Sequence, residues 1–243
     1  MSAADHGSAP TIVFADNHLL VIAKPAGMPT QDDASRDLSL LAWAKAEIKR
    51  THGKPGEVFL GLVHRLDRPT SGLLVLARTS KAASRLSAAM RERRVRKRYL
   101  ARCEAMPAAP EGLVEGWLAP GVDGASSRIV AASHPRAQAV ALRFAVLQAG
   151  PAPLLVVELL TGRKHQIRAQ LAELGAPIVG DLRYGAKPTG SGSIAVPPYA
   201  IGLHSYELEL PHPIGGGLLR WRAPAPAWLG PVPEPLMDPS PPA

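Results

Sequence analysis

Residues 61–78 read GLVHRLDRPTSGLLVLAR, two apolar runs meeting at a Pro-Thr-Ser-Gly turn with a single carboxylate, Asp67, just ahead of it. The runs at 58–63 and 72–77 predict strands on either side of that turn. An aspartate in this position ordinarily serves the turn by bonding to the backbone two residues on. Here Arg65 lies two residues before it and Arg68 directly follows, and an adjacent opposite charge favours the ionised carboxylate. An ionised carboxylate in a partly dry pocket can act as a nucleophile or stabilise a developing cation.

Upstream, TIVFADNHLLVIAKPAG (11–27) predicts two short strands joined at Asp16 and Asn17, with Lys24-Pro25 ending the second. Residues 1–10 are small and polar and are expected to be flexible. A helix is predicted over 36–50 with Leu38, Leu41, Ala42 and Ile48 in its apolar stripe, followed by a break at Lys54-Pro55-Gly56. Thr79 or Ser80 caps a second predicted helix running to about Arg94. From Val95 the period becomes two, placing Val95, Lys97, Tyr99, Ala101 and Cys103 on one face of a strand and Arg96, Arg98 and Arg102 on the other.

Segments 113–160 read as strands separated by Gly, Pro and Ser, and TGRKHQIRAQLAELGAP (161–177) as a third helix with Gly175 as its C-terminal cap. Ile167, Leu171 and Leu174 form its apolar face, with Arg168 at the edge. Two last strands are expected within 201–222. From Ala223 onward Pro takes eight of 21 positions, which predicts an extended or disordered tail. Strands without regular helix alternation imply an α+β fold with a largely antiparallel mixed sheet flanked by helices.

The chain has 243 residues, enough for one large domain, and its 28 Lys+Arg against 20 Asp+Glu give a formal net charge of +8. That balance points to a polyanionic partner, with nucleic acid the default. The charge is concentrated at 91–98, RERRVRKR, where only Glu92 opposes six basic residues. Arg91, Arg93, Arg94, Arg96 and Arg98 are therefore expected to contact phosphates. Cys103 is the sole cysteine, so no internal disulfide forms, and a reducing cytoplasm suits the chain. No apolar stretch is long enough to span a membrane, and no basic, apolar leader is visible.

His64, His134, His165, His204 and His212 lack the close spacings of zinc sites, so no metal is expected. Ser71, His165 and Asp67 could be picked out as a triad, but the Gly-x-Ser-x-Gly elbow is absent. Neither a dinucleotide fingerprint nor a phosphate loop occurs. A glycosidase needs two carboxylates, and acids are sparse near Asp67, which suggests chemistry in which water is not the nucleophile.

Taken together, HRLDRPTSG resembles the signature of the RluA family of RNA pseudouridine synthases, in which HRLD and TSG surround a catalytic aspartate. Lys24-Pro25-Ala26-Gly27 is similar to that family's first motif, Lys97-Arg98-Tyr99 to its tyrosine segment, and GRKHQIR (162–168) to its third motif. The third is continued by Gly175, Pro177, Gly180, Asp181, Tyr184 and Gly185. GLHSYELELPHP also fits, so the resemblance covers roughly 11–224, the expected catalytic domain, with a Pro-rich tail from 225 to 243. Lys164 departs from the Thr or Ser usual there, and no S4-like RNA-binding module precedes the core.

The resemblance implies a synthase-like α+β fold and isomerisation of uridine in ribosomal or transfer RNA by a monomer without cofactor or metal. The N-glycosidic bond breaks, the uracil turns, and its C5 bonds to the ribose. Asp67 would be the essential carboxylate, adding covalently or removing a sugar proton, with Arg168 as its ion-pair partner. Tyr99 would stack on the uracil and assist proton removal. Arg65 would fill the gap left by a flipped nucleotide, with His64, Ile167 and Lys24 also at the substrate. Two other readings compete: an RNA-folding or ribosome-assembly factor with a synthase-like domain, and a base-releasing hydrolase.

Overall fold

The computed structural model describes residues 9–53, 56–188 and 195–233. The expected loose start through residue 8, Lys54 and Pro55 of the expected break, and the end of the tail from 234 lie outside the described residues.

Strands β1 (Thr11–Ala15) and β2 (Leu19–Lys24) form a hairpin, because the Asp16 carboxylate accepts from the backbone N–H groups of His18 and Leu19 at 2.7 and 2.6 Å and tightens the turn. β2 pairs antiparallel with β4 (Ser71–Ala77). Over Leu19–Ala23 and Leu73–Ala77 both strands are apolar at every step because both of their faces are covered. Leu20, Ile22, Leu74 and Leu76 pack with helix α1 (Leu40–His52) on one side, while Leu19, Val21, Leu73 and Val75 pack with α2 (Ser80–Arg91) on the other. Among the described residues the strands form one 11-stranded sheet. Its order is β1, β2, β4, β10 (Leu203–Pro211), β5 (Arg96–Arg102), β9 (Leu154–Leu159), β8 (Gln138–Gln148), β6 (Glu111–Pro120) and β7 (Ser127–Val130). β11 (Leu218–Arg222) adds to β10 and β3 (Gly61–Leu62) to β4. Among the described strands only the β4·β10 pair is parallel, so the expected α+β, largely antiparallel architecture is present.

Boundaries moved where caps overrode periodicity. Ser39, whose hydroxyl accepts from Ala42 N, starts α1 four residues later than expected, and Gly53 (φ 58°) ends it. Thr79 caps α2, which stops at Arg91, and Arg93 turns left-handed at φ 58°. Val95 precedes β5 and packs with α2, whereas Tyr99, Ala101 and Cys103 share the opposite core; the expectation that Val95 lies on their face is corrected by that turn. Helix α3 covers only Gln166–Glu173, because His165 sits at φ 55° and the hydroxyl of Thr161 donates to Gln166 Oε1 instead of opening a helical turn. Between 58 and 63 only Gly61 and Leu62 are strand.

Residues 225–233, expected to be extended or disordered, are packed instead. Leu229 is fully buried against Leu100 and Leu154, and the buried Arg102 guanidinium donates to the carbonyls of Leu229 and Pro231. A buried cation requires acceptors, and this segment supplies them.

The parallel junction depends on one residue. Gly72 has φ 109°, and a Cβ there would lie 2.2 Å from the Ser205 carbonyl oxygen and 2.6 Å from its nitrogen. Gly72→Ala is expected to cost on the order of 3 kcal/mol or more by forcing β4 from β10. Urea titration checks this, and an unchanged midpoint would show that the strands separate freely.

Candidate active site

At that junction β4 carries β10 beside Ser71 and Gly72 but β3 beside Leu76 and Ala77, so the strand beside it changes midway. The Val75 N–H, left without a strand partner there, donates to His64 Nε2 at 3.0 Å. Between the two partners the chain loops out, and the loop carries Asp67. Lys24 anchors it from behind: its ammonium, 2% exposed, donates to the carbonyls of Pro25, Met28 and Arg68 at 3.0, 2.8 and 3.1 Å. Burial draws the Lys24 pKa down to about 7, with the Asp67 charge working against that shift. Thr30 holds the same loop by accepting from Leu66 N and donating to Leu66 O.

From the other side α3 presents Arg168. It forks onto Asp181 at 2.7 and 2.8 Å and donates through Nη1 to Asp67 Oδ2 at 3.1 Å. Its guanidinium carbon also lies 4.9 Å from the centre of the Tyr184 ring. His165 Nε2 is 3.6 Å from Asp67 Oδ2, and its Nδ1 is 2.9 Å from the Tyr184 hydroxyl. That hydroxyl accepts from Ser127 N at 2.9 Å and donates to Ser127 O at 3.0 Å.

Asp67, Arg168, Tyr99, Ile167, Arg65, His64, Arg91 and Arg93 all line one cavity of about 520 Å³. Tyr99 is 5% exposed, and burial pushes its phenol well above the ordinary range, with the Asp67 charge adding in the same direction. Lys24, Arg94, Arg96 and Arg98 are not among the lining residues. Lys24 is a buried loop anchor rather than a surface offered to a ligand. Arg98 is 4% exposed and pairs with Glu207 at 3.1 Å and Glu158 at 3.4 Å, so the expectation that it contacts phosphate is corrected: strand alternation turned it into a covered face. Arg96 pairs with Glu158 and Glu209, and exposed Arg94 with Glu92. The basic run at 91–98 thus divides between the cavity and an ion-pair ladder across β5, β9 and β10. His165, weighed in the sequence only for a triad and a metal site and set aside for both, also reaches the cavity, as do Arg163 and Lys164, to which the sequence assigned no role. The i, i+3 spacing of His165 to Arg168 was the available signal for the first.

Three imidazoles here are held neutral by desolvation. His64 is lowered to about 3, opposed further by Lys97, while His165 and His204 are lowered to about 4. In the unfolded chain they protonate near 6.5. Between those values the unfolded state binds more protons, so stability is full above pH ~6.5 and falls as pH drops toward ~4. Melting temperatures across that window check this; a flat profile would mean that the rings are already charged when folded.

The description "RNA pseudouridylate synthase" belongs to the family model that matches residues 18–173. The chain belongs to this family. It is 34% identical to the ribosomal large subunit pseudouridine synthase D of Nitrosomonas europaea over 88% of its length and 62% of the relative's. It is 30% identical to the dual-specificity RNA pseudouridine synthase RluA of Salmonella typhimurium, covering 88% of this chain and 92% of that one. Among solved structures, human RNA pseudouridylate synthase domain containing 4 superposes with a TM-score of 0.73 at 27% identity, over 90% of this chain and 89% of that one. The chain therefore spans less than two thirds of the Nitrosomonas protein but nearly all of the Salmonella one.

Proposed function

We propose that this protein is an RNA pseudouridine synthase that isomerises uridine in structured RNA, with Asp67 as the carboxylate acting on the target nucleotide. The observation that carries this is the lining of the cavity: among its described residues Asp67 is the lone acid, held by Arg168, with Tyr99 beside it and basic side chains around it. A single carboxylate suits a reaction that returns the base to the sugar, whereas hydrolysis would call on a second to activate water. The names of relatives that act on the ribosomal large subunit favour ribosomal RNA as the substrate, with transfer RNA the other class.

In this reading Asp67 acts at the sugar while the C1′–N1 bond breaks. The freed uracil turns within the pocket, C5 bonds to C1′, and the C5 proton is lost as N1 gains one. Arg168 keeps Asp67 oriented and charged, and Ile167 supplies an apolar wall that retains the detached base. Burial keeps the Tyr99 phenol protonated, which supports stacking on the uracil over action as a base. Tyr99→Phe should retain folding and most turnover if stacking is the main role. A loss of turnover beyond about a hundredfold at unchanged melting temperature would assign the hydroxyl to proton transfer. We place the responsible unit at residues 11–224, with 225–233 packed onto it, working as a cytoplasmic monomer without cofactor.

Tritium release from C5-labelled uridine tests the reading, with ribosomal and transfer RNA assayed separately. Release with pseudouridine as the product is expected. Free uracil would indicate a hydrolase, and tight binding without release would favour an RNA-folding or ribosome-assembly factor.

A further inference from the structure

Lys97 is two residues before Tyr99 on β5, so both side chains face the same way, and both line the cavity that holds Asp67. Its ammonium is largely desolvated, which lowers its pKa. Among the described residues it has no hydrogen-bond acceptor and no carboxylate partner. The His64 ring, whose Nε2 accepts from Val75 N, is held neutral by burial and by the Lys97 charge itself. Asp67 is already engaged by Arg168. Space in front of the ammonium is kept open by Gly162, where a Cβ would stand 3.1 Å from Lys97 Nζ. A desolvated cation without a partner is costly unless a ligand supplies the anion. Arg91, Arg93 and Arg163 around the same cavity add to the excess of positive charge.

We propose that Lys97 is a phosphate-binding residue whose ammonium takes a non-bridging oxygen of the RNA backbone phosphate next to the target nucleotide. The proposal rests on the synthase reading for which nucleotide enters, and it adds the anchor for that nucleotide's backbone. A nucleotide swung out of a stack carries its flanking phosphates toward the pocket. A full anion answers an unpaired ammonium better than a uracil carbonyl does, since only an anion cancels the charge of the desolvated ammonium. Gly162 has a matching part: a side chain there would occupy the place of the phosphate oxygen.

The test measures binding of the full chain to a stem-loop RNA with one loop uridine, by fluorescence anisotropy over a range of salt. Lys97→Gln should weaken binding about tenfold at low salt and reduce the log–log salt slope by about 0.7, the share of one phosphate on a single strand. Lys97→Arg should restore the slope, and Gly162→Ala should weaken binding while leaving the charge in place. A methylphosphonate at one of the two phosphates flanking the uridine should weaken the wild type and leave Lys97→Gln unaffected. A wild-type slope in Lys97→Gln overturns the proposal. So does a weakened variant whose deficit persists with either methylphosphonate, which would assign the ammonium to a carbonyl or to packing. Because the readout is binding, it separates from the synthase reading: a Lys97 effect without tritium release by wild type keeps the subsite and rejects the isomerase.

Discussion

Asp67→Asn is expected to lower tritium release by on the order of 10⁴-fold or more while leaving RNA affinity within about twofold. The substitution is isosteric. An amide oxygen still accepts from Arg168 Nη1, 3.1 Å away in the parent, and the loop keeps the Lys24 and Thr30 bonds that place it. What is removed is the negative charge, and with it the capacity to attack the sugar, take its proton or stabilise a developing cation. Affinity depends mainly on the cationic rim and its phosphates, which the change leaves alone. Single-turnover tritium release beside an anisotropy titration separates the two quantities. A variant with wild-type turnover would move the chemistry away from Asp67.

Arg168→Met carries the second large effect, on stability and activity together. Arg168 is 6% exposed in its side chain and bridges Asp67 to Asp181, which is itself 1% exposed. Its removal leaves the Asp181 carboxylate buried without a counter-charge, a loss of about 3–5 kcal/mol. The adjacent Tyr184 ring also loses its cation. Adding Asp181→Asn removes the orphaned charge and should recover most of the stability in urea unfolding. Turnover should not return, because Asp67 still lacks its partner. If the double variant regains turnover, Arg168 serves only to neutralise Asp181; if the single variant unfolds as the parent does, the buried pair contributes nothing net.

The elements most readily read from sequence were those with two independent local signals. The β2 and β4 runs combined apolar continuity with turn residues, and the antiparallel segments from 111 to 159 were separated by Gly, Pro and Ser. α3 was harder. Its periodic face reaches back to Thr161, but the Thr161–Gln166 hydrogen bond and the left-handed His165 remove the first five residues from the helix. Nothing local announces that bond, whose stabilisation includes the Ala141 backbone of a distant strand. The same limit applies to the basic run. Period-two alternation correctly set Arg98 opposite Tyr99, but whether the Arg98 face meets solvent or Glu158 and Glu207 depends on which strands flank β5.

By itself the sequence determined the strand and helix types, the position of Asp67 at a strand-to-turn boundary and the family motifs around it, because these depend on neighbours a few residues away. Tertiary structure alone decided that Asp67, Arg168 and Tyr99, more than thirty residues apart in the chain, share one cavity. It also decided that Lys24, Arg96 and Arg98 are committed to internal partners while Lys97, among the described residues, is left unpaired beside Gly162. A cation's partner is chosen by what folding brings within a few ångströms, and local sequence does not encode that distance.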